Sequence, residues 1–159
     1  MMLVALCLVP TGAHLFEMPG KMAMGKDAYF EVQPIYGGWA LFGIVEVAAI
    51  VAAAWLAWRV RAQTMAVGFA AAGAGLIVAS LVAFFSLSFP GNVATANWTL
   101  APDDWEALRL RWEIGHATEA VLTFLALLSV AVSVVVFERA QPGAASRVGS
   151  NSPARSSTG

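Results

Sequence analysis

Charge is scarce in this chain: 12% of its 159 residues are Asp, Glu, Lys or Arg, against about a quarter in an ordinary soluble domain. Cysteine is nearly absent. Cys7 stands alone, so neither an intramolecular disulfide nor a paired-cysteine metal knuckle can form. No basic stripe exists either, and a net charge of -1 offers nothing to displace counterions from a phosphate backbone; nucleic acid is excluded as a partner. The glycine-rich phosphate loop, the G-x-S-x-G elbow and the H-E-x-x-H zinc pattern are all missing, which removes the commonest nucleotide-dependent and hydrolytic chemistries.

Apolar residues are what the chain has in quantity, at 59%. A hydrocarbon core of about 30 Å takes roughly 20 apolar residues of helix to cross, and four runs qualify, at about 2–18, 38–58, 65–89 and 114–137. The expected fold is all-α, an integral membrane four-helix bundle over residues 1–139. The first run contains Pro10, which a membrane helix tolerates when neighbours satisfy the freed carbonyl. Thr11-Gly12-Ala13 resembles a signal-peptidase site, but no positive segment precedes the apolar stretch, so the run reads as a span. Ala71 and Gly75, four apart on the third run, predict close helix packing there. Residues 140–159 turn to Gly, Ser, Ala, Pro and Arg without apolar periodicity and read as a disordered polar tail.

Lysine and arginine placement sets the expected orientation. Arg59, Arg61, Arg139, Arg147 and Arg155 fall on one side, while Lys21, Lys26, Arg109 and Arg111 fall on the other. The positive-inside rule therefore favours the plasma (inner) membrane with both termini cytoplasmic, and puts the two long polar loops, 19–37 and 90–113, outside. The lipid bilayer is the expected partner, and an oligomer is compatible with the composition.

The two histidines sit at the loop ends of spans one and four, each with a glutamate three residues away: His14 with Glu17, and His116 with Glu113 and Glu119. Three-residue spacing makes helical neighbours. Trp105, Arg109, Trp112 and His116 follow a four, three, four spacing that lines one helical stripe. One reading is an aromatic and charged vestibule leading to groups that do proton chemistry. The other is anchoring at lipid headgroups, where Trp and Arg are enriched. His116 and Glu119 lie inside the apolar run and need partners within the bundle. So does Glu46, roughly 12 Å below the loop end of span two at the helical rise per residue. It is either a protonated, hydrogen-bonded carboxyl or part of one polar pocket with both histidines.

Glu113 to His116 matches the Glu-x-x-His order of carboxylate-bridged metal sites, but His14 to Glu17 reverses it. No metal or other cofactor is predicted, although a metal or a haem held at His14 and His116 is geometrically allowed.

His14 and Pro19 closing the first span, Pro90 with Asn92 after the third, and Arg111-Trp112 followed by His116 opening the fourth give the first 137 residues a family likeness. The chain resembles the DUF1772 group of small four-span membrane proteins, which includes the anthrone oxygenases of aromatic polyketide pathways. The resemblance implies cofactor-independent monooxygenation of an aromatic, anthrone-like small molecule by dioxygen. It implies His116 or His14 as the base, with Glu113, Glu17 or Glu119 orienting it. Arg109 or Arg111 would stabilise a phenolate, Asn92 would donate a hydrogen bond to it, and Trp105 or Trp112 would stack on the ring. A non-enzymatic membrane binding or assembly module, a metal- or haem-binding redox protein and a transporter remain the competing readings.

Overall fold

The computed structural model describes residues 1–141, and among these every regular element is helical. Helix α1 spans Met2–Met22, the short α2 Lys26–Val32, α3 Phe42–Arg59, α4 Thr64–Ala83, α5 Phe89–Ala94 and α6 Trp105–Arg139. One-turn 3₁₀ segments at Gln33–Tyr36 and Trp39–Leu41 lead into α3, and a π-helical turn, Phe84–Ser88, joins α4 to α5. Four stretches are long and apolar enough to cross a membrane: Met2–Met22, Trp39–Arg59, Thr64–Ala94 and Trp105–Arg139. They pack as a closed square, α1 on α3, α3 on α4, α4 on α6 and α6 on α1.

The bundle is apolar outside and small inside. Large side chains such as Ile44, Val51, Val82, Phe124 and Leu128 are exposed on its flanks, where lipid tails meet them, while Ala49, Ala53, Ala126, Cys7 and Ile77 form the core. Little apolar burial drives helices together in lipid, so close approach of small residues does. That approach is made at Gly73, where an added Cβ would lie 2.7 Å from Val130 Cγ2 and 3.3 Å from the Ala126 carbonyl oxygen. It is not made at Ala71 and Gly75, which are exposed on the opposite face, so the expectation for that pair is corrected. A second close approach, at Gly115 of α6, seats the π-turn: an added Cβ there would lie 3.1 Å from the Ser88 backbone nitrogen and 3.0 Å from Leu87 Cβ.

Three boundaries differ from the sequence expectation, all at the loop end. Helix α1 continues through Pro19 to Met22, the third span runs on past Phe89 to Ala94, and α6 starts at Trp105, a full two turns before the apolar run. Above the spans, Tyr29 of α2, Trp98 and Trp112 form an aromatic cap with Phe30 and Trp105 packed on it. Trp98 is held there by a left-handed turn at Ala96, Asn97 and Trp98, with φ of 46°, 55° and 64°. Non-glycine residues resist this conformation. Three hydrogen bonds impose it: Trp98 N to Thr95 Oγ1 at 2.9 Å, Leu100 N to the Thr95 carbonyl at 2.9 Å, and Asn97 N to the Asn92 carbonyl at 2.7 Å. Helix α6 ends at Arg139, and the expected disordered tail falls, from residue 142 onward, outside the described residues.

Candidate functional site

Bringing α1 and α6 into contact at their loop ends sets the two histidines face to face. Their rings stack with centroids 4.1 Å apart and planes 16° from parallel, and both residues are more than nine-tenths buried. Aromatic rings surround them: Tyr36 lies 4.4 Å and Trp39 5.2 Å from the His14 centroid, and Trp112 4.2 Å and Phe84 6.1 Å from that of His116.

Each imidazole has its own polar support. Lys21 Nζ is 3.2 Å from His14 Nδ1, 3.1 Å from Glu113 Oε1 and 3.9 Å from Glu17 Oε2. Its side chain is almost completely buried, between the faces of Tyr36 and Trp112. Glu113, fully buried, also accepts the Tyr29 hydroxyl at 3.1 Å. On the other ring, His116 Nδ1 lies 3.3 Å from Glu119 Oε1, close enough for an ion pair but off line for a hydrogen bond. The same carboxylate oxygen accepts the Ser88 hydroxyl at 2.9 Å, which the π-turn delivers.

Outside the spans, burial holds the Tyr29 phenol far above its ordinary pKa, with the Glu113 charge adding to it. Tyr36 is raised likewise, first by burial and then by its hydrogen bond to Glu17. Both phenols therefore stay protonated as donors.

The histidine pair forms one wall of a cavity of about 720 Å³ in the loop-end half of the bundle. Trp39, Phe42, Phe84, Phe85, Phe89 and Trp112 supply flat apolar walls, while Glu46, Glu119, Asn92 and Asn97 supply polar edges. The volume lies within the roughly 300–1,000 Å³ of small-molecule sites, and a mostly apolar lining with a few convergent polar groups is their usual build.

The sequence candidates divide into two sets. His14, His116, Glu46, Glu119, Asn92 and Trp112 line this cavity; Glu113 and Glu17 stand behind it, joined to His14 through Lys21. Arg109, Arg111 and Trp105 do not reach it. Arg109 donates to the Met24 carbonyl at 2.8 Å, just past the end of α1, and stacks over Trp105 at 4.6 Å. Arg111 is exposed and donates to the Ser86 carbonyl. Among the described residues, no three or more His, Cys, Asp and Glu side chains are grouped to hold a metal ion.

Sequence reasoning missed Lys21, Tyr36, Trp39, Ser88 and Phe84. Lys21 had a signal: His14, Glu17 and Lys21 are spaced three and four, one helical face, but Pro19 reads as a helix stop. Comparison with protein-family models, curated proteins and solved structures finds no match.

Proposed function

We propose that the protein is a cofactor-independent monooxygenase of the bilayer that acts on a flat aromatic small molecule of the anthrone type. The buried stacked imidazole pair on the wall of an aromatic cavity carries this reading. Proton transfer needs a positioned base within reach of the substrate, and an imidazole whose second ring nitrogen faces the cavity can supply it.

The reaction balances without an added reductant. An imidazole takes a proton from the ring methylene, leaving an electron-rich carbanion delocalised into the phenolate. Dioxygen accepts its electrons, a C–O bond forms, and the peroxide anion recovers the proton as a hydroperoxide. Loss of water then breaks the O–O bond and the second C–H bond and leaves the ketone of a quinone. The substrate is oxidised and dioxygen reduced to one carbonyl oxygen and one water. The chain's own residues bind the ring between Trp39, Phe84 and Trp112, hold the imidazoles through Lys21 and Glu119, and offer Asn92 to the developing oxyanion.

We place this cavity on the outer side of the plasma membrane, following the arginine balance. The test is two-fold. Metal and haem content of the purified protein is compared with that of a His14→Ala, His116→Ala variant, and oxidation of 1,8-dihydroxyanthrone is then followed by dioxygen uptake. Stoichiometric metal or haem lost in the variant overturns the reading; catalysed uptake of one dioxygen per anthrone, abolished in the variant, supports it.

A further inference from the structure

The two histidines stack as near-equals, yet their hydrogen-bonding surroundings are opposite. Lys21 faces His14 Nδ1 at 3.2 Å while its other contacts, Glu113 at 3.1 Å and Glu17 at 3.9 Å, are carboxylates. An ammonium has three donors and no acceptor. An ammonium held between two carboxylates needs a lone pair on the nitrogen it meets. The ring hydrogen of His14 therefore sits on Nε2. His116 Nδ1 meets a carboxylate instead, Glu119 Oε1 at 3.3 Å, whose oxygen already accepts the Ser88 hydroxyl at 2.9 Å. The contact is off line for a hydrogen bond, but a carboxylate charge at 3.3 Å favours an N–H over a lone pair on the nitrogen that faces it. The hydrogen of His116 sits on Nδ1, and its lone pair is on Nε2. Both rings line the cavity, and among the described residues no hydrogen bond ends on either Nε2.

Asn92 is fixed by the same logic. The indole N–H groups of Trp98 and Trp112 both meet one atom of its amide, at 3.0 Å and 2.8 Å. Indole nitrogen only donates, so that atom is the carbonyl oxygen, and the amide NH₂ is left for a ligand in the cavity that Asn92 lines.

We infer that the pair is a divided acid–base device in which His116 Nε2 is the proton acceptor, His14 Nε2–H and the Asn92 amide are donors to a ligand oxygen, and Lys21 is the positioning residue that sets the His14 tautomer. Its use in catalysis rests on the monooxygenase reading; the tautomers themselves do not. The ligand this arrangement fits presents an acidic hydrogen to His116 and a carbonyl or phenolate oxygen to the two donors.

The experiment is magic-angle-spinning NMR of the full chain in lipid bilayers with ¹⁵N,¹³C-labelled histidine. Only two histidines contribute, and His14→Gln and His116→Gln assign them. The expected spectrum has His14 protonated on Nε2 with a bare, hydrogen-bonded Nδ1, and His116 protonated on Nδ1. Lys21→Met shifts His14 toward the other tautomer, and Lys21→Arg, which keeps a charged donor, restores it. A lysine with a purely structural role leaves the His14 tautomer unchanged in Lys21→Met, and that result overturns its assignment. Should Lys21→Met fail to fold, the wild-type spectrum still decides: a hydrogen on Nδ1 of His14, or a bare Nδ1 on His116, sinks the inference. In turnover, His14→Gln retains a side-chain donor and loses about tenfold or less, whereas His116→Gln loses about 100-fold or more. Equal losses contradict the division of roles. Expected tautomers in a protein that does not oxidise anthrones leave the inference standing and remove the monooxygenase reading.

Discussion

Glu119 and Ser88 illustrate how little sequence is needed to tune one imidazole. Glu119→Gln keeps the shape but removes the charge beside His116 Nδ1, and is expected to cut turnover about tenfold or more while Ser88→Ala costs less; steady-state dioxygen uptake reads both. Tyrosine ionisation gives an independent check, because the chain has only Tyr29 and Tyr36. Both phenols are raised, so in the folded protein the ultraviolet tyrosinate band stays absent at a pH where the unfolded chain titrates, about 10. The sign follows from linkage: their contribution to stability is complete below the unfolded value and is lost as pH climbs toward the folded ones. Legibility at this scale was selective. His116 and Glu119 announced themselves as ionisable groups inside an apolar run, which lipid does not tolerate without partners. Lys21 did not, because it follows Pro19 and counts as a loop charge until α1 is seen to run past the proline.

Helices position these groups through a few contacts that substitution can probe. Gly115→Ala drives a Cβ into the π-turn, against Ser88 and Leu87, and is expected to cost about 1–3 kcal/mol of stability and to displace Ser88 from Glu119. Gly75→Ala, with nothing within 4 Å, is expected to be silent; thermal unfolding in detergent compares the two. Lys21 and Glu113 tie α1 to α6 with both side chains buried. Lys21→Met alone leaves the buried Glu113 carboxylate without its cation, at about 3–5 kcal/mol; Glu113→Leu leaves Lys21 the more distant Glu17 and costs less, and the double substitution is expected to cost less than the two singles together. The four spans and their order were legible because hydrocarbon thickness demands long apolar runs. The π-turn and the left-handed turn at Ala96–Trp98 were not, since neither contains the glycine or proline that usually marks an irregular backbone.

For the whole molecule, four antiparallel spans put the start of α1 at Met2 and the end of α6 at Arg139 on one side and the cavity toward the other. With Cys7→Ser as background, an impermeant thiol reagent on intact cells is expected to label Asp103→Cys and to spare Ala62→Cys; the reverse pattern places the cavity on the cytoplasmic side. In the proposed orientation, a lipid-soluble aromatic would reach the cavity from the bilayer or from water without crossing the membrane. On the proposed reading the bundle is scaffold and solvent barrier at once, keeping both imidazoles more than nine-tenths buried, where electrostatic interactions are strong. Its chemistry stands or falls with His116. In lipid nanodiscs freed of metal by chelation, the wild-type protein is expected to oxidise 1,8-dihydroxyanthrone well above the uncatalysed rate, and His116→Ala to fall about 100-fold or more toward that background. A folded His116→Ala protein that matches the wild type, or activity that disappears on chelation and returns with a metal, would contradict a histidine-based, cofactor-independent oxygenase.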